Sequence, residues 1–328
     1  MVAQRNTERT SNSTKHHILK SQLATILIIL ALLIVFFAIG SEGFFTIKNC
    51  YNILQQIAVI GIITVAQTFV IITGGIDLSQ GAVIGLTTVI TAMCMVDFGL
   101  SIPIAILLGL LVGVIIGVLN GLLIAYLGLP AFIATLGSMS VTEAIALLVK
   151  GGKDIYNLPQ GISEFAQQGI GNVIPNIAII MIIIAFVMHI FLKHTCFGRY
   201  IYAVGSNEQS ARFSGVKTKS VLFRTYVLAG FLCGIAGIIM MCRMSGGVAI
   251  AGKGYQMNSI SAVVIGGGSL FGGEGSITGA MVGAFIMTIL ANGLQIMGVS
   301  SYWQQLITGI VLVGAVLMDT MRRKKNLN

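Results

Sequence analysis

Charge is what this sequence has least of. Only 9% of its 328 residues are Asp, Glu, Lys or Arg, against roughly 25% in a soluble domain. So few charges cannot clothe a chain of this length in water, which excludes a soluble enzyme and a nucleic-acid binder. The five cysteines, at 50, 94, 196, 233 and 242, contain no CxxC pair. That excludes a disulfide-stapled secreted domain, and free buried thiols acting as small hydrophobes are expected. The four histidines show no HExxH or other ligand spacing, so no metal site is expected. A Ser/His, Asp/Asp or His–metal constellation for an intramembrane enzyme is also missing.

What is present is apolar, at 56% of the chain. It comes in blocks of about 17–25 residues, the length that crosses a hydrocarbon core of roughly 30 Å as helix. The blocks fall near 21–40, 52–73, 80–97, 102–125, 131–149, 173–192, 221–242, 255–271, 276–298 and 301–319. The expected fold is an all-α polytopic membrane protein with about ten transmembrane helices. The first block has a basic flank and a small-x-small ending at Ala38-Ile39-Gly40, as a signal peptide does. Its apolar stretch exceeds the usual signal core of about 7–15 residues, so it reads as an uncleaved first helix. The segments 80–97 and 255–271 are short and flanked by glycine. Both are candidates for broken or re-entrant helices, tolerated where backbone is buried in protein or lines a cavity.

The basic residues give an orientation. Fourteen of the nineteen Lys and Arg residues sit in three hydrophilic stretches, before residue 21, at 193–224 and after 321. Positive charge beside spans marks the cytoplasmic side. Both termini and the central loop are therefore expected inside, and an even number of spans agrees. The organisation expected is a cytoplasmic tail at 1–20, a membrane domain at 21–320 with its loop at 193–220, and a basic tail at 321–328.

Glycines at a spacing of four mark close helix contacts, because lipid gives no hydrophobic drive and small residues let backbones approach. Gly109, Gly113, Gly117 and Gly121 form one such stripe; Gly275, Gly279 and Gly283 form another. One decoy is the run from Gly247 to Lys253, GVAIAGK. It fits the start of a phosphate-binding loop, but Gly254 stands where the Mg²⁺-binding Ser or Thr belongs and no strand precedes it. The chain is not expected to hydrolyse ATP or to bind a cofactor itself.

Acids within membrane segments are functional candidates. Asp97, Glu143 and Glu274 fall at or near span ends, whereas Asp77 joins two apolar runs in TGGIDLSQG at 73–81. There it can cap the following helix with Ser79 nearby, line a solute path or take part in proton coupling. The other polar positions within spans are neutral, namely Gln67, Thr73, Asn120, Ser269, Asn292 and Gln295. Such groups suit passage of a polyhydroxy solute, and they equally suit hydrogen bonds between helices. In the central loop, Ser206 or Asn207 can cap a short helix, with Gln209 as capping-box partner and Gly215 as stop. Its small residues, Ala211 and Ser214, can enter a partner's groove.

The stretch 197–216 resembles the coupling segment of the ribose/galactose-type ABC sugar permeases, the membrane subunits of bacterial importers. GGIDLS at 74–79, PAFIATLG at 130–137, the glycine-rich run at 254–279 and GVSSYWQ at 298–304 match the same family in the same order. The resemblance implies a second permease subunit, cytoplasmic ATPase subunits that use the ATP, and a binding protein that delivers sugar from outside the bacterial plasma membrane. It assigns the seat of the ATPase to Gly198, Arg199, Tyr200, Asn207, Glu208, Ala211, Arg212 and Gly215. One departure is Gln256-Met257-Asn258-Ser259, where the ribose type has an acid followed by Leu-Asp-Ala. The function implied is a permease for a ribose-like or galactose-like monosaccharide. The alternatives are a furanose-like signalling molecule as solute, and an ion-coupled secondary carrier, for which only Asp77 offers a mid-membrane acid.

Overall fold

A computed structural model describes residues 23–171 and 173–327. The expected tail at 1–20 lies outside the described residues. Helix α1 (Leu23–Gly40) leads into α2 (Ile47–Ile72), α3 (Gln80–Val96) and α4 (Ile102–Gly121), which ends in a π-helical turn at Leu122–Tyr126. There follow α5 (Ala131–Leu148), a short α6 (Gln160–Gln167) and a two-stranded ribbon, β1 (Gly169–Ile170) with β2 (Ile174–Pro175). Next come α7 (Asn176–His194), α8 (Cys196–Ser206), α9 (Glu208–Phe213) and α10 (Thr218–Met244). The chain closes with α11 (Tyr255–Ile265), α12 (Ile277–Ile296) and α13 (Ser301–Leu327). Among the described residues, eight helices are long and apolar enough to cross a membrane. With α3 and α11 they occupy the ten expected segments.

Several starts are set by side chains that accept otherwise orphaned backbone N–H groups. Thr46 accepts from Asn49 at the start of α2, Thr195 from Gly198 at α8 and Ser276 from Gly279 at α12. Helices α2 and α10 are the buried centre, while α1 and α13 lie at the periphery with most side chains exposed. Such exposed apolar surface belongs in lipid.

The eighth apolar segment is only partly helical. At about 1.5 Å per residue, the 11 residues of α11 reach about half of a hydrocarbon core. The stretch 246–254 precedes it as non-helical backbone laid against α3. Gly247 and Ile155 exchange backbone hydrogen bonds of 2.8 and 2.9 Å at the end far from α8. Val248 N–H donates to Thr88 Oγ1 at 3.1 Å. Further along, a side chain at Gly85 would strike Ala249 O, and one at Gly81 would strike Gly252 O. This satisfies the rule that irregular backbone at membrane depth must be buried in protein. It also disposes of the phosphate-loop decoy: Val248 and Ala251 are buried, and the following helix begins only at Tyr255.

The first glycine stripe faces α10 and α3. A Cβ at Gly113 would collide with Gly230 O, and one at Gly117 would lie 2.6 Å from Tyr226 O. Gly121 meets Phe223, and Gly109 meets Thr91 of α3. In the second stripe, Gly279 and Gly283 meet the backbone of Gly266 and Ala262. Gly275 stands apart: it precedes the Ser276 cap, outside α12, and faces Ile72 at the end of α2. The thiols also divide. Cys94, Cys233 and Cys242 are buried, whereas Cys50 and Cys196 are exposed at opposite ends of the bundle.

Candidate functional site

The link between α2 and α3 carries the polar core. Asp77, 3% exposed, does not cap α3. Its Oδ1 accepts the Ser79 N–H at 2.9 Å and the Ser79 hydroxyl at 2.6 Å, an Asx turn that folds the carboxylate onto its own chain. Asn120 of α4 donates Nδ2–H to Ser79 Oγ at 2.9 Å. Thr135 of α5 lies 3.1 Å from Ile76 O. One turn thus ties together α3, α4 and α5 near the α8 end. An ion pair, Lys150 with Asp97, lies at the other end.

A second polar group sits deeper. Ser259 Oγ of α11 donates to Gln80 Oε1 at 3.0 Å, and Gln256 of α11 extends toward Met139 of α5, with Nε2 3.8 Å from Sδ. Gln67 is fully buried in α2, and neither its Nε2 nor its Oε1 has a partner among the described residues. These amides and hydroxyls can donate and accept in turn without holding an ion.

The remaining path candidates fall elsewhere. Thr73 ends α2 with its hydroxyl on Val70 O at 2.7 Å. Asn292 and Asn49 pair at 3.0 Å between α12 and α2, so Asn292 acts as interhelical glue. Gln295 is exposed near the end of α12. Ser269 sits in the loop 266–276, bonded to Asp319 Oδ2 at 3.1 Å.

At the α8 end, the central loop folds into two short helices. Ser206 is the last residue of α8, and Asn207 is the cap of α9, its Oδ1 accepting the Ser210 N–H at 2.8 Å. Gly215 follows in the left-handed region at φ 85°, where a glycine stop belongs. Arg199, Tyr200, Asn207, Glu208, Arg212 and Gly215 are exposed. Gly198 and Ala211 are not, since Gly198 packs on Leu192 and Ala211 is 6% exposed.

A family model described as the permease component of the branched-chain amino acid transport system matches residues 49–316. The chain belongs to this permease family. It is 42% identical over 299 residues to the ribose import permease protein RbsC of Bacillus subtilis (strain 168), covering 90% of this chain and 91% of that one. RbsC of Escherichia coli (strain K12) is 39% identical over 90% of this chain and 93% of its own. The fructose import permease protein FrcC of Rhizobium meliloti is 36% identical over 94% and 88%. No solved structure matches. The resemblance to the ribose/galactose-type ABC sugar permeases therefore holds, and the permease is a multi-pass membrane protein.

Three polar residues of the permease core escape a reading by hydropathy. Gln80 begins α3 beside Gly81, and Gln256 and Ser259 fall in the first turns of α11 after Gly254, so they read as boundary residues rather than lining. The signal was present, because Gln256 and Ser259 stand in the segment that departs from the family's acidic pattern. Phe213 is likewise legible only in three dimensions. It is an apolar residue on a short helix, yet 84% exposed at the tip of the permease.

Proposed function

We propose that this permease is the membrane subunit of an ATP-driven importer for a monosaccharide of the ribose type. The observation that carries the reading is the extent of the match, 42% identity over nine-tenths of both chains with a ribose permease. The buried neutral amides support it: Gln67 and, in part, Gln80 and Gln256 have polar atoms without a partner among the described residues, and these can hydrogen-bond a polyhydroxy solute.

The permease domain spans 21–320 and sits in a bacterial plasma membrane, with the basic tail 321–328 and the α8–α9 loop on the cytoplasmic side. Two permease subunits enclose the path. The ATPase subunits seat on α9 through Asn207, Glu208, Arg212, Phe213 and Gly215, flanked by Arg199 and Tyr200 of α8. A sugar-loaded binding protein docks at the opposite end. ATP binding and hydrolysis stay with the partner, and α8 and α9 pass the movement into the bundle so that the path opens to alternate sides.

The test is uptake into proteoliposomes holding the permease, its ATPase and the binding protein. Labelled ribose, galactose, fructose and leucine are offered with ATP or with an imposed proton gradient. ATP-dependent ribose uptake is expected, with leucine excluded despite the family's description. Uptake driven by the gradient alone would establish a secondary carrier instead.

A further inference from the structure

The loop 266–276 at the α8 end is occupied in more contacts than a connector between α11 and α12 needs. It first closes on itself: Gly272 N–H donates to Ser269 O at 3.0 Å, and Ser269 N–H to Glu274 O at 3.2 Å. Three external ties then hold it. Gly273 N–H donates to Ile72 O at 2.8 Å, at the end of α2. Tyr202 of α8 donates its hydroxyl to Gly275 O at 2.7 Å. Asp319 of α13 accepts from the Ser269 hydroxyl and the Leu270 N–H, both at 3.1 Å.

The backbones themselves touch. A Cβ at Gly272 would lie 2.6 Å from Gly205 O and 2.9 Å from Gly74 N, and one at Gly273 would lie 2.5 Å from Ser206 Oγ. A side chain at Gly205 would strike Ile72 O. The C-terminal turn of α8, the end of α2 and the loop are thus stacked main chain on main chain. Close packing of this kind transmits displacement instead of absorbing it.

We infer that Tyr202 and Asp319 are positioning residues of the transport cycle. They hold the loop 266–276 as one joint, through which movement of α8 reaches the Asp77 turn on one side and α13 on the other. The inference rests on the permease reading for its role in transport. Neither residue lies on α9, since Tyr202 belongs to α8 and Asp319 to α13. Burial pushes the Tyr202 hydroxyl above its ordinary pKa, so it remains a donor throughout the physiological range.

The experiment uses Tyr202→Phe and Asp319→Ala in the full permease with its ATPase and binding protein. Uptake per ATP hydrolysed should fall by about threefold to tenfold, the span expected from one lost hydrogen bond, while the ATPase still co-purifies. Hydrogen–deuterium exchange on the purified permease gives a readout independent of transport. In Tyr202→Phe, exchange should rise at 269–276 and at 72–79 together, because Gly273 hangs on Ile72. A rise confined to 269–276, or an unchanged yield of uptake per ATP, would overturn the joint. If the wild-type complex shows no ATP-driven uptake, it is the importer reading that fails, and the exchange result alone decides whether the joint exists.

Discussion

Asp77 spends its carboxylate on its own neighbour. Its Oδ1 accepts both the N–H and the hydroxyl of Ser79, and Asn120 in turn donates to the Ser79 hydroxyl. Asn at position 77 keeps an Oδ1 that can accept the same two bonds, so Asp77→Asn should retain folded yield and substantial ATP-driven uptake. Asp77→Leu leaves the buried Ser79 N–H and hydroxyl without an acceptor, at a cost of about 1–3 kcal/mol for each group. A lowered thermal transition in detergent would register it. Abolished uptake by a well-folded Asn variant would instead show that the charge itself is required. Gly113 makes a second case. Gly113→Leu should lose monodisperse protein, because overpacking a tight contact costs about 1–3 kcal/mol or more, and here the obstacle is the backbone of Gly230. Gly161→Ala on α6 has open space around its Cβ and should leave the thermal transition unchanged or slightly raised.

At the scale of elements, α9 is a platform of six residues held by one cap and one stop. Its buried and exposed residues do different work. Ala211 faces inward, so Ala211→Trp would unseat α9 from its own chain before it told anything about a partner. Arg212→Ala and Phe213→Ala test the outer face. Each should weaken ATPase co-purification, within the range of about 1–4 kcal/mol found for residues at the centre of an interface, while the thermal transition of the isolated permease stays put. Unchanged co-purification in both would remove α9 from the ATPase seat. The same division explains why the short-helix pattern at 206–215 was legible in sequence while its working face was not. Caps and stops are local chemistry. Which side of a two-turn helix is buried depends on where α8 and α10 pass.

Across the whole molecule, the two exposed thiols report orientation. Cys196 begins α8, and Cys50 lies near the start of α2 at the opposite end, one residue before Tyr51, whose hydroxyl donates to Gln167 O at 2.7 Å. With the positive-inside orientation, a membrane-impermeant maleimide should modify Cys50 in right-side-out vesicles and Cys196 in inverted ones. The buried Cys94, Cys233 and Cys242 should stay unmodified in both. Labelling of Cys196 from outside would invert the topology, and with it the assignment of α9 to the ATPase side.

Sequence alone determined the all-helical membrane class, ten apolar segments and the shortness of two of them. Those properties follow from composition, run length and local caps, which act within one segment. The tertiary structure decided what depends on segments distant in the chain. It showed that the stretch 246–254 runs as irregular backbone along α3, where Gly81, Gly85 and Gly252 leave room for it. It showed that Asn292 binds Asn49 and that Asn120 binds Ser79, although Asn120 and Asn292 were equally suited to a solute path. It also drew Ser269 to Asp319 and Tyr202 to Gly275. A hydrogen-bonding side chain carries no mark of its partner, and only the packing of helices in lipid brings the two within reach.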